Sequence, residues 1–140
     1  VATLNETEAS LVRETFADVL GRSDDFSASF YRSLFEKAPE VRELFSKDMT
    51  AQREKLIATL SIVVRGARNF DELAETVREL GRGHVGYGAR PAHYDVLKIT
   101  LLETLEQYLG DKFDPQVRAA WSKLIDVVNK TMLEGAATAS

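Results

Sequence analysis

No cysteine occurs among the 140 residues, which removes disulfides, thiolate nucleophiles and zinc or iron–sulfur sites built on sulfur. That absence does not by itself identify a compartment. Histidine is scarce, with only His84 and His93, so a metal site built from several imidazoles is not expected. A metal here would arrive inside a cofactor. No apolar run is long enough to span a bilayer, and the N-terminus lacks a secretory pattern. A cytoplasmic location without membrane insertion is the default expectation. No block of Lys and Arg appears and the formal net charge is −4, which argues against nucleic acid or an anionic membrane as partner. Strand signals are missing too. Nothing alternates over a strand length between turn residues, apart from the short run 61–64 inside a helical pattern. There is no internal repeat and no low-complexity segment.

What is present is an ordinary globular composition, 44% hydrophobic and 29% charged, long enough for one domain over residues 1–140 with a real core. Asn5 with Glu8 three residues later reads as a capping box, followed by the helical face Val12, Phe16, Val19, Leu20 and a stop at Gly21. Ser23 and Asp24 start a second helix carrying Phe26, Phe30, Tyr31, Leu34 and Phe35. Pro39 opens a short helix with Val41, Leu44 and Phe45. Thr50 is the expected N-cap of a helix over about 51–67, in which Gln52, Leu56, Leu60 and Val63 share a face. Asn69 and Glu72 form a second capping-box pattern. After Pro91 comes a long helix with Tyr94, Leu97, Leu101, Leu105 and Tyr108, stopped by Gly110. Asp114 and Pro115 start the last helix, with the face Val117, Trp121, Leu124, Ile125, Val128 and Met132. The small residues 135–140 are expected to fray. The fold class is all-α, six to eight helices packed in one unit.

Leu73, Val77, Leu80 and His84 stand at i, i+4, i+7 and i+11, on one helical face. Gly86, Gly88 and Pro91 stop the helix just past the histidine. A neutral imidazole held at a helix end beside an apolar stripe suits the role of single axial ligand to haem iron. A core histidine satisfied by its neighbours would look the same on these residues alone. The run from Gly81 to Gly86 matches G-x-G-x-x-G, but a dinucleotide site needs a strand before the motif and a helix after it. Here a helix precedes and a loop follows. The glycines are read instead as letting the backbone approach a flat ligand and then turn. Tyr31 and Phe45 alone would read as core, and Gln52 alone as an exposed first-turn residue.

Taken as a set, Phe30 to Phe35, Ala38 to Phe45, Gln52 to Leu56, Leu80 to His84, His93-Tyr94 and Ala119-Ala120-Trp121 resemble the globin family. The resemblance is greatest to bacterial single-domain haemoglobins and the haem domains of flavohaemoglobins, and it covers nearly the whole chain. It implies a globin fold around haem b, with His84 as the proximal iron ligand. It further implies that Phe45 packs on the haem face, that Tyr31 and Gln52 are the distal polar pair, and that Leu56 walls the ligand pocket. Lys55 reaches a propionate, and Leu80 and Tyr94 border the haem. In flavohaemoglobins a tyrosine at the place of Tyr94 forms a hydrogen-bonded group with a glutamate beside the proximal histidine. Here that glutamate would fall near Ala137, and the chain offers Glu134 one turn earlier. Whether Glu134 supports His84 through Tyr94 is left open.

Tyrosine and glutamine both donate hydrogen bonds, so dioxygen should be held tightly and released slowly, whereas the less polar carbon monoxide would gain less. His93 follows Pro91 in the proximal half, so the sixth iron position is expected to be open. Three functions fit such a pocket. One is reversible binding of dioxygen, for transport or storage. Another is nitric oxide dioxygenation, which needs a separate reductase because no flavin or nicotinamide domain lies in this chain. The third is gas sensing, coupled to a signalling domain elsewhere in a longer protein. Oligomeric state is left open.

Overall fold

Asn5 Oδ1 accepts from the Glu8 amide at 2.8 Å, and Glu8 Oε1 accepts from the Asn5 amide at 2.9 Å. This reciprocal cap starts α1, Glu6–Leu20. From there the computed structural model, which describes residues 4–86 and 88–138, is helical. After α1 come α2 (Ser23–Lys37), a 3-10 turn (Pro39–Leu44), α3 (Thr50–Arg65) and a second 3-10 turn (Ala67–Glu72). They are followed by α4 (Ala74–Gly86), α5 (Pro91–Leu109), a short 3-10 turn (Gly110–Lys112) and α6 (Pro115–Ala137). Among the described residues there is no strand. The all-helical expectation holds.

The core forms where α1, α2, α5 and α6 turn their apolar faces together. Trp121 is 1% exposed. Its ring lies 6.2 Å from that of Phe16, and its indole N–H donates to the Thr15 hydroxyl at 2.9 Å, so the polar end of a large apolar group is satisfied. Phe26, Phe30, Leu105 and Leu124 are equally enclosed. Each such side chain is worth about 1.5–3 kcal/mol in removal from water.

Two helix starts differ from the sequence expectation. Thr50 is the first helical residue rather than the cap, and its amide donates to Asp48 Oδ1 at 3.0 Å. A short acid two residues upstream closes an Asx turn and takes the donor first. The Asn69–Glu72 capping box does not form. Asn69 is non-helical (φ −135°, ψ 61°) inside a 3-10 turn, and α4 begins only at Ala74. Phe70 is 1% exposed, and sinking that ring into the core bends the chain away from the helical path a box would require.

The last helix also runs further than expected, to Ala137. Gly135 is buried inside it, and a Cβ there would stand 2.0 Å from the Arg78 carbonyl oxygen of α4. Its counterpart is Gly81, where a Cβ would stand 1.9 Å from the Met132 carbonyl oxygen. Helices α4 and α6 thus cross backbone against backbone, each lending a glycine to the other. Gly81 is there for its neighbour helix, which corrects the expectation that it admits a flat ligand. A Cβ at Gly83 would meet nothing within 4 Å outside its own helix backbone. Residues 139–140 of the expected tail lie outside the described residues.

Candidate functional site

Tyr31 sits on the buried face of α2 because Phe30 and Leu34 beside it are core residues. Its ring packs against those of Phe30 at 5.0 Å, Phe45 at 5.7 Å and Phe35 at 5.9 Å. Gln52, in the first turn of α3, donates its amide N–H to the Tyr31 hydroxyl oxygen at 3.1 Å. Burial pushes the Tyr31 hydroxyl above its ordinary pKa, and the Gln52 bond opposes this more weakly. The phenol therefore stays protonated. With its oxygen already accepting from Gln52, its own proton is directed elsewhere.

One turn further along α3, Leu56 and then Leu60 continue the face of Gln52, both half-buried and packed on the core. Phe45 follows the Pro39–Leu44 turn and is likewise half-buried. Lys55 is exposed and makes no ion pair among the described residues.

His84 lies two residues before the end of α4, half-buried. Its Nδ1 is 2.6 Å from the Leu80 carbonyl oxygen. A carbonyl only accepts, so in the neutral ring Nδ1 carries the proton and Nε2 the lone pair. Leu80 contributes through its backbone, and its side chain is 36% exposed. Past the helix, Gly88 takes φ +92°, a left-handed conformation suited to glycine. A Cβ there would stand 3.1 Å from Leu44 Cδ2. The loop after His84 therefore touches the turn that carries Phe45. His93 accepts from the Arg90 amide at 3.0 Å through Nδ1, which caps α5.

Tyr94 is buried on α5. Its carbonyl accepts from Asn129 Nδ2 at 3.1 Å, while its hydroxyl bonds to no described residue. Burial raises its pKa. Glu134 lies along the same open cleft of about 580 Å³, but its carboxylate pairs with Arg78 Nε at 3.5 Å. It is therefore engaged with α4 rather than with Tyr94.

Helix α3 packs on α1 and α2, and α4 on α6, with the Ala67–Glu72 turn joining them. Leu73 covers Gly66 beside that turn, and Leu44 lies against Gly88. The half-buried Leu44, Phe45, Leu56, Leu60 and Leu73 pack on the core. Among the described residues no group of three His, Cys, Asp or Glu side chains could hold a metal ion. The half-buried His84 imidazole, its Nδ1 turned to the Leu80 carbonyl, would suit a metal delivered within a planar macrocycle, as in haem. Tyr31, Gln52 and Phe45 are brought together as the sequence implied. Arg42 and Phe35, described below, had no role assigned from sequence, although an arginine three residues before an aromatic turn residue was visible there.

The class these elements define is an all-helical protein with an imidazole near the end of α4 and a hydrogen-bonded phenol–amide pair on α2 and α3. A family model for globins matches residues 28–132. The chain is 26% identical over 130 residues to a globin-like protein of Aquifex aeolicus, covering 93% of this chain and 92% of that one. It is 24% identical over 128 residues to a flavohemoprotein of Bacillus subtilis, covering 89% of this chain but only 32% of the relative, so it spans about a third of that protein's length. Among solved structures, a bacterial globin from Campylobacter jejuni superposes with TM-score 0.84 at 18% identity, over 95% and 96% of the two chains. An engineered carbene transferase made from a putative nitric oxide dioxygenase of Rhodothermus marinus also gives 0.84, at 27% identity over 96% and 94%. The chain belongs to the globin family, a haem-holding, gas-binding fold. No helix of the described residues is long and apolar enough to cross a membrane.

Proposed function

We propose that this globin holds haem b between α3 and α4 through His84 Nε2 and binds dioxygen reversibly beside Tyr31 and Gln52, for carriage or storage. Haem, when bound, supplies an iron atom that takes diatomic gases, carbon monoxide and nitric oxide included. Everything else falls to the chain. The Leu80 carbonyl fixes the His84 tautomer, so the lone pair is at Nε2. Phe45, Leu56 and Leu80 supply apolar surface to the macrocycle and exclude water, Tyr94 borders it on α5, and Lys55 offers an ammonium to a propionate.

The observation that carries this reading is the Gln52–Tyr31 hydrogen bond. It occupies the phenol oxygen as acceptor and leaves the phenol proton to be donated to a polar gas. A donor to a charged partner is worth about 1.5–3 kcal/mol, so dioxygen is favoured over the less polar carbon monoxide.

A second reading, nitric oxide dioxygenation, is favoured by the similarity to the flavohemoprotein and to the Rhodothermus protein. It joins dioxygen to nitric oxide to give nitrate and consumes an electron, which a separate reductase would deliver. Repeated turnover with a supplied reductase distinguishes it from simple binding, where a single event ends the reaction.

The test of the primary reading is the absorption spectrum of the reduced protein, first without gas and then under oxygen. A five-coordinate spectrum converting to a stable oxygenated one is expected. A six-coordinate spectrum before gas is added would overturn the open distal site, and no haem band after haem addition would overturn the cofactor.

A further inference from the structure

Arg42 lies half-buried in the Pro39–Leu44 turn. Its guanidinium pairs with no carboxylate among the described residues. Nη1 donates instead to the carbonyls of Phe45 at 3.3 Å and Ser46 at 2.9 Å, and Nη2 to that of Lys47 at 3.3 Å. Three successive carbonyls converge on one cation. The end of a helical turn leaves carbonyls without partners, and Phe45 departs in an extended conformation (φ −118°, ψ 157°), so Arg42 supplies the missing donors. The same guanidinium lies 5.2 Å over the Phe35 ring, within range of a cation–π contact. Phe35 packs on Phe45 at 5.6 Å and on Tyr31 at 5.9 Å. The contacts close a ring: Arg42 to the Phe45 backbone, the Phe45 ring to Tyr31 and Phe35, and Phe35 back to Arg42.

We propose that Arg42 is a positioning residue that sets the Tyr31–Gln52 pair by clamping the Phe45 turn and the Phe35 ring around Tyr31. The proposal rests on the dioxygen-binding reading above. Arginine suits the task because a planar fork reaches several carbonyls while its face stacks on a ring. The single nitrogen of lysine cannot do both.

The experiment compares Arg42→Ala and Arg42→Lys, each alone and combined with Tyr31→Phe, in the haem-loaded protein. Three quantities are read: backbone amide exchange over residues 45–50, the Tyr31 hydroxyl titration by NMR of ring-labelled tyrosine, and the oxygen dissociation rate. Arg42→Ala should raise the amide exchange, bring the Tyr31 titration back toward the ordinary tyrosine range, and speed oxygen loss about three- to tenfold. Arg42→Lys should fall between parent and Arg42→Ala. Combined with Tyr31→Phe, neither should add further acceleration. Faster amide exchange with unmoved Tyr31 titration and oxygen loss would reduce Arg42 to a turn clamp and overturn the proposal. Equal acceleration with and without Tyr31→Phe would overturn it too. Should Tyr31→Phe leave the parent rate unchanged, the dioxygen reading fails instead. The Tyr31 titration then decides for Arg42 alone: a shift supports positioning, and no shift overturns it.

Discussion

The helix that carries His84 and the pair Tyr31–Gln52 are held by different means. On the α4 side, Gly81 and Gly135 bring two backbones within a distance that admits no Cβ, so the helix of His84 has a single seat. On the α2–α3 side, Tyr31 is held by ring contacts of 5.0–5.9 Å and one amide bond. Such contacts are individually weak and can yield. The imidazole therefore belongs to the rigid half of the molecule and the Tyr31–Gln52 pair to the adjustable half. A fixed ligand benefits from the first arrangement, and a pocket that must admit and release a small molecule benefits from the second.

The largest effect should come from breaking the rigid half. Gly81→Ala puts a methyl group against a backbone carbonyl that cannot rotate away, so the helices must part. The cost should be about 3 kcal/mol or more, outweighing alanine's helical gain of about 1 kcal/mol. Thermal unfolding should fall by about 10 °C or more, with weaker haem retention. Next, Tyr31→Phe should speed oxygen dissociation about ten- to a hundredfold while moving the unfolding midpoint far less. Stopped-flow exchange with carbon monoxide measures the first and thermal denaturation the second. If the two substitutions had similar effects on both quantities, the contrast between the halves would be lost.

Gly83→Ala sharpens the comparison from within one helix. Two residues from Gly81 and facing open space, it should stabilise the protein by up to about 1 kcal/mol, opposite in sign to Gly81→Ala in the same denaturation assay. The smallest effect concerns pH. Because burial raises the Tyr31 pKa above its ordinary 10.0, the folded state keeps this proton where the unfolded state loses it. That contribution is complete below about pH 10 and is lost as pH rises through the folded value. Oxygen dissociation should accordingly stay flat to about pH 10 and quicken only above it.

Local features were legible in the sequence. Asn5 and Asp114 cap their helices through side-chain bonds, and Gly110 ends α5 at φ +55°. Each depends on a few neighbouring residues. The meeting of Tyr31, Gln52 and Phe45 was also legible, through resemblance, whereas of the stripe before His84 only Val77 is buried and Leu80 is exposed. What escaped depends on distant partners. Gly81 looked like part of a ligand-approach motif because its true neighbour, Met132, lies 51 residues later. The Asn69–Glu72 pattern was chemically sound but lost to the burial of Phe70. Arg42 had no role assigned, because nothing local reveals that three carbonyls will turn toward it.

The α4–α6 crossing also bears on the order of assembly. The groups that seat the helix of His84 are contributed by residues 132–135, near the far end of the chain. During synthesis, α1, α2 and α3 leave the ribosome before α4, and α4 before α6. Helix α4 has no equivalent surface to lie on until α6 has emerged almost to its last turn. Seating of the helix that carries His84 is therefore set late, after the residues of α6 that face Gly81 and Arg78 have emerged.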